Sequence, residues 1–95
     1  MATRIGPGVI PPQVVHRIEP ELPADMAKVA PAGPVVLDAV ILEGGIPKIV
    51  RVIQSQNWVL DEIAINALKL WRFSPAIKDG QAVRVRMNIA VNFNK

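Results

Sequence analysis

The feature that most constrains this fold is an alternation of apolar and polar side chains near the C-terminus. Apolar residues occupy every second position from Val83 to Phe93, and mostly polar residues stand between them. The apolar set is Val83, Val85, Met87, Ile89, Val91 and Phe93; the intervening set is Arg84, Arg86, Asn88, Ala90 and Asn92. Because successive side chains of a strand point to opposite faces, this segment is predicted to be one long strand with a buried face and a wet face.

The segment from Val59 to Trp71 has a helical period instead. Its apolar stripe consists of Leu60, Ile63, Ala64, Ala67, Leu68 and Trp71. Acidic residues stand in the first turn and basic residues at the end, an arrangement that complements the helix dipole. We therefore predict an amphipathic helix that Ser74-Pro75 terminates, followed by a turn over residues 78–81.

Two further strands are predicted before this helix. Residues 35–42 and 46–54 are rich in β-branched side chains, and residues 43–45 (Glu-Gly-Gly) supply the glycines that a tight hairpin turn needs. In the second strand Lys48 and Arg51 fall on opposite parities. A bulge near Lys48 would restore the register, so we expect one there.

Seven of the nine prolines lie in the first 34 residues. Residues 1–12 are therefore predicted to be the end of a linker or spacer, and residues 13–95 a folded domain. Within that domain, a short helix is expected from Pro23 to Ala30, because Pro23 suits a first helical turn and Pro31 ends the helix.

These elements predict one α+β domain, since 95 residues leave no room for a second core. The expected element order is α-β-β-α-β. If the long helix carries the chain over the first strand, the three strands form an antiparallel sheet of order 2-1-3 with both helices packed on one face. Other strand orders are compatible with the same periodicity.

Few residues in the sequence could carry out catalysis. The chain has no cysteine and no tyrosine, and His16 is its one histidine. The paired carboxylates Asp61 and Glu62 are explained by their place in the first helical turn, and three convergent metal ligands cannot be assembled. We therefore predict a protein that is not an enzyme and has no metal or cofactor. Trp71, at the end of the apolar stripe, is expected to anchor the core.

Positive charge is concentrated in the C-terminal half. Residues 1–45 hold three basic and five acidic side chains, whereas residues 46–95 hold eight basic and three acidic ones. Two of these basic residues, Arg84 and Arg86, lie on the wet face of the last strand. They either protect a free sheet edge from unwanted pairing or steer an incoming strand, and the sequence favours neither function over the other.

Several short motifs in order resemble the C-terminal domain of TonB-type energy transducers. They are residues 20–23 with Ala27, residues 33–35, Gly45, residues 60–61 with Ala64 and Ala67, residues 71–76 (Trp-Arg-Phe-Ser-Pro-Ala), residues 79–83 and Phe93. The run from Trp71 to Ala76, followed by an Asp-Gly turn, is the most specific part. The resemblance extends from about Pro12 to Phe93, which is nearly the whole chain.

The resemblance implies a periplasmic module of Gram-negative bacteria. Such a domain binds the TonB box, an N-terminal peptide of outer-membrane transporters, by strand addition and transmits force for active uptake. The full-length protein would be anchored in the inner membrane, where a proton-motive complex drives it through N-terminal parts. Carried onto this sequence, the peptide-binding residues are Glu21, Leu22, Val83, Arg84, Val85, Arg86, Met87, Asn88, Ile89, Ala90, Val91 and Asn92. Leu22 departs from the aromatic residue usual in the family.

Two alternatives follow from the residues themselves. A stand-alone adaptor could form homodimers or larger homo-oligomers by pairing its own edge strands. A nucleic-acid-binding module could use the basic half, although aromatic residues are 4% of the chain and two arginines make a small phosphate footprint. We therefore expect no nucleic-acid partner.

Overall fold

The computed structural model describes residues 6–20 and 33–93. These ranges contain eight strands and one helix in the order β-β-β-β-α-β-β-β-β. The elements are β1 (Val9–Ile10), β2 (Val14–His16), β3 (Val35–Ile41), β4 (Pro47–Gln54), α1 (Trp58–Leu68), β5 (Arg72–Phe73), β6 (Ala76–Lys78), β7 (Gln81–Val83) and β8 (Val85–Val91). The helix predicted at residues 23–30 lies outside the described ranges.

The largest sheet contains the three long strands in the order β4-β3-β8, and both of its pairings are antiparallel. Strand β3 is therefore central, and its alternate side chains Val35, Leu37, Ala39 and Ile41 are fully buried. The turn at residues 43–45 follows β3 and joins it to β4, and Gly45 has the positive φ of 82° that such a turn requires.

The predicted fold class is wrong. It placed two helices on a single three-stranded sheet, whereas the described residues form one helix and three sheets. Strands β1, β6 and β7 make a second sheet, and β2 pairs with β5 in a third. Strands of two or three residues are too short to show a period, and the pairings of β1 with β6 and of β2 with β5 join residues distant in the chain.

The long strand predicted from residue 83 is also divided. Val83 belongs to β7, which pairs with β6, and Arg84 separates it from β8, which pairs with β3. Side chains keep their alternation through this break, because Val83 is half-buried, Val85 buried and the residue between them exposed. The chain therefore passes from one sheet to another without losing its apolar face.

Helix α1 begins at Trp58, where the Asn57 side chain accepts a hydrogen bond from the N–H of Leu60 over 2.9 Å. It ends at Leu68, three residues before the predicted end, because the next turn tightens: the Trp71 N–H bonds to the Leu68 carbonyl. Trp71 nevertheless stays in the core and is 4% exposed. The stripe of the helix packs on the inner face of the central sheet, where the core lies.

Strand β4 pairs irregularly with β3. Val50 and Ile53 have no Cα partner there, so two residues of β4 lie opposite one of β3 at each point. Lys48, near which a bulge was predicted, pairs with Val40 in regular register. The irregularities follow Lys48 along the strand, and they bring Arg51 into register with Asp38.

Candidate functional site

The candidate site is the free edge of β8, which we define as the side of Val85–Val91 that faces away from β3. Among the described residues, β8 pairs with β3 alone. The pairing runs through seven consecutive partners, from Val35 opposite Val91 to Ile41 opposite Val85, without a shift in register. In such a strand every second residue directs its N–H and C=O groups outward, and these groups are available to another strand.

The other edge of the same sheet is less suited to pairing. Strand β4 carries two unpaired residues, Val50 and Ile53, and bulges of this kind twist and interrupt an edge. A strand added to β4 would meet this irregular backbone, whereas one added to β8 would meet a regular row of donors and acceptors. Of the two edges, β8 therefore has the geometry that strand addition requires.

The predicted peptide-binding residues divide into groups. Val85, Ile89 and Val91 are buried in the core and Met87 is half-buried against it, so their side chains fix β8 in place. The exposed side chains are those of Arg86, Asn88, Ala90 and Asn92. Val83 and Arg84 precede β8, with Val83 in the neighbouring sheet. Glu21 and Leu22 lie outside the described residues.

Arg86 is held by Asp38, the one buried acidic residue that the structure describes. Its Nε atom donates to Oδ1 of Asp38 over 2.9 Å, and its Nη2 atom donates to Oδ2. Arg51 of β4 approaches the same carboxylate from the opposite side, with Nε 3.3 Å from Oδ2. The hydrogen bond from Arg86 is the main reason why the pKa of Asp38 lies below its usual value, although burial acts in the opposite direction.

Arg84 is also paired. Its Nη2 atom lies 3.0 Å from Oε1 of Glu43, in the turn between β3 and β4. The pKa of the Glu43 carboxyl is lowered, first by a hydrogen bond from its own backbone N–H and then by the one from Arg84. Both arginines of the predicted docking strand are therefore neutralised within the domain. The pairing of Arg86 with Asp38 could not be predicted from the sequence, because the two residues are 48 positions apart.

A short N-terminal segment lies beside the C-terminal end of β8. We call residues 17–20 the strap. The indole N–H of Trp71 donates to the Ile18 carbonyl oxygen over 2.9 Å, and the Arg17 guanidinium lies 5.7 Å from the centre of the same ring. The strap and Trp71 form a recess with Ala90 and Asn92. The sequence indicated Trp71 as a core residue, but it gave no signal that Arg17 and Ile18 would lie here.

Other chemistry is sparse within residues 6–20 and 33–93. No three side chains of His, Asp or Glu come together there in a way that could hold a metal ion. His16 is exposed on β2. The Asp61 carboxylate accepts hydrogen bonds from the Ser55 hydroxyl and the Gln56 N–H, so it stabilises the start of α1. No helix in these ranges has the length and apolar character needed to cross a membrane.

Comparison with known proteins adds one finding. The model of the family described as Gram-negative bacterial TonB protein C-terminal matches residues 18–94, about four fifths of the chain. The match covers the central sheet, α1 and most of the strap, and it confirms the resemblance found in the sequence motifs. No curated protein matches the chain.

Proposed function

Because the chain belongs to the family of TonB C-terminal domains, we propose that it binds the TonB box of outer-membrane transporters as an added strand on the free edge of β8. The family consists of transport-associated, non-enzymatic domains of the Gram-negative periplasm, and its members interact with outer-membrane transporters. The proposal specifies which edge of this chain the transporter peptide would occupy.

The observation that carries the proposal is the contrast between the two edges of the central sheet. Strand β8 offers seven residues in unbroken register, and β4 is interrupted at Val50 and Ile53. An added strand gains affinity from a regular series of backbone hydrogen bonds and selectivity from side chains at alternate positions. The side chains available for selectivity on β8 are Asn88 and Ala90, because the Arg86 guanidinium is already paired with Asp38.

The same geometry suits the transmission of force. The inner side chains of β8 are packed in the core, and its other side pairs with the buried central strand. A peptide pulled along β8 would load several backbone hydrogen bonds at once, because they lie in parallel and are strained in shear. In the proposed transducer, an inner-membrane proton-motive complex supplies this force through N-terminal parts that anchor the protein in the inner membrane.

The remaining predicted contacts belong to the same proposal. Glu21 and Leu22 directly follow the strap and would contact one flank of the peptide. The strap itself ends at the recess beside Ala90 and Asn92, so a peptide lying along β8 would meet it at that end. Val83 and the backbone of Arg84 would contact the opposite flank, where the chain enters β8 from the neighbouring sheet.

The test is an N-methyl scan of a synthetic ten-residue TonB-box peptide, with binding followed by backbone amide shifts of the isotopically labelled protein. Strand addition predicts shifts along residues 85–92. It also predicts that N-methylation at every second peptide residue weakens binding by about fivefold or more, since each such change removes one backbone hydrogen bond. Peptides methylated at the intervening residues are the matched controls.

Other outcomes would overturn the proposal. Shifts confined to residues 43–45 or to α1 would place the peptide elsewhere, and losses without a period of two would exclude a strand. Sedimentation at several protein concentrations should accompany the titration. If β8 pairs with a second copy of itself and is not displaced by the peptide, the domain is an oligomerisation module instead.

A further inference from the structure

The arginines of the docking strand point away from the edge they were expected to guard or to serve. The Arg86 side chain extends to Asp38 of β3, and the Arg84 side chain extends to Glu43 in the turn that follows β3. Since β3 lies on the paired side of β8, both guanidinium groups are drawn to the side opposite the free edge. We propose, on the basis of the function proposed above, that Asp38 and Glu43 are positioning residues that keep this edge open to an incoming strand.

The Asp38 contact is built to hold one arrangement. Asp38 is 3% exposed, and two arginines contact it, from β8 and from β4. Arg86 lies opposite Val40, so Asp38 is its diagonal neighbour on the same face of the sheet, within reach of a long side chain. Two nitrogen atoms of the Arg86 guanidinium face the carboxylate, which limits both its position and its rotation.

The Glu43 contact repeats this arrangement near the turn. Arg84 donates through Nε, 3.0 Å from Oε1 of Glu43, and its Nη2 atom lies at the same distance. Both side chains are about half exposed, so this pair is the weaker of the two. Asp38 lies within β3 and Glu43 in the turn that follows it, and each acid is paired with one of the two arginines.

An open edge needs such a device because a free arginine hinders pairing. Charged side chains on an edge strand are a common protection against strand addition, since an incoming strand must displace or desolvate them. Immobilising one long side chain costs about 0.5–1.5 kcal/mol, which corresponds to a factor of about two to ten in affinity. In the folded domain, Asp38 and Glu43 already immobilise the two arginines and compensate their charge before the peptide binds.

The experiment measures affinity for a fluorescently labelled TonB-box peptide by anisotropy, using the whole chain. We expect Asp38→Asn to weaken binding about three- to tenfold, because Arg86 is released over the edge. Arg86→Ala should bind like the wild type, and the double variant Asp38→Asn/Arg86→Ala should recover wild-type affinity. Glu62→Gln, which removes a negative charge from the exposed side of α1, is the control for the change in net charge.

A second pair of variants, at Glu43 and Arg84, tests the inference even if Asp38→Asn fails to fold. Glu43→Gln changes an exposed ion pair, so it should fold normally and weaken binding about twofold, and Arg84→Ala should restore the affinity. Weaker binding by Arg86→Ala alone would overturn the inference, because it would mean that the arginine contacts the peptide. A loss in Asp38→Asn that the double variant does not recover would also overturn it. Failure of the wild type to bind would instead refute the proposed function and the inference together.

Discussion

The backbone N–H of Phe73 donates a hydrogen bond to the carbonyl oxygen of Gly45 over 2.9 Å. This contact ties the turn between β3 and β4 to β5, and it brings the two backbones very close together. A Cβ atom on Gly45 would lie 1.9 Å from the Phe73 carbonyl oxygen, well inside van der Waals contact. Gly45 is therefore required both for its positive φ and for the absence of a side chain.

We expect Gly45→Ala to lower the free energy of unfolding by about 2–4 kcal/mol, because it combines left-handed backbone strain with a steric clash. Urea unfolding followed by tryptophan fluorescence would measure the loss. The matched control is Gly44→Ala in the same turn, where an added Cβ meets no atom within 4 Å. Its effect should stay within about 0.5 kcal/mol. Equal effects of the two variants would contradict the close approach of the backbones.

The two tryptophans should respond differently to the same substitution. Trp71→Phe removes the indole N–H that bonds to Ile18 and leaves that carbonyl without its donor, so we expect a loss of about 1–3 kcal/mol. Hydrogen exchange should also rise in the strap. Trp58 is 77% exposed, and Trp58→Phe should change stability by less than about 0.5 kcal/mol. Protection of the strap that survives Trp71→Phe would argue against its attachment through this indole.

Asn57 and Asn66 allow a similar comparison within one helix. The Asn57 side chain caps α1, so Asn57→Ala should destabilise the protein by about 0.5–2 kcal/mol. Asn66 lies exposed inside the helix, where alanine is the better helix former, and Asn66→Ala should be neutral or slightly stabilising. Thermal unfolding followed by circular dichroism would measure both. A stabilising effect of Asn57→Ala would exclude the capping role.

The predictable parts of this fold are those with a sustained period. Strands β3, β4 and β8 and helix α1 each carry a pattern of seven or more residues, and each was placed within a few residues of its observed bounds. The short strands β1, β2, β5, β6 and β7 were missed. Two or three residues cannot display a period. Strand β1 pairs with β6 and β2 with β5 because the fold brings distant segments side by side, whereas β6 and β7 pair locally across the turn predicted at residues 78–81.

The candidate site was predictable to a similar extent. Alternation alone identified the β8 segment and its exposed residues, because a long regular strand records its two faces in the sequence. The ion pair of Arg86 with Asp38 was not predictable. Asp38 is a single acid within an apolar strand, and the sequence does not tell which basic residue it meets until the register of three strands is known. The sequence therefore did not predict that Arg86 is paired within the domain.

The Asp38 contact should also appear in the pH dependence of stability. Its hydrogen bond with Arg86, supported by Arg51, places the folded pKa of Asp38 below its usual value of 3.8. Such a carboxylate stabilises the fold fully above the unfolded pKa, and the contribution is lost as the pH falls through the folded pKa. We therefore expect the stability difference between the wild type and Asp38→Asn to be largest near neutral pH and to shrink below about pH 4. Urea unfolding midpoints of both proteins between neutral and strongly acidic pH would measure it, and a difference that stays constant over this range would show that the charge of Asp38 contributes nothing to the folded state.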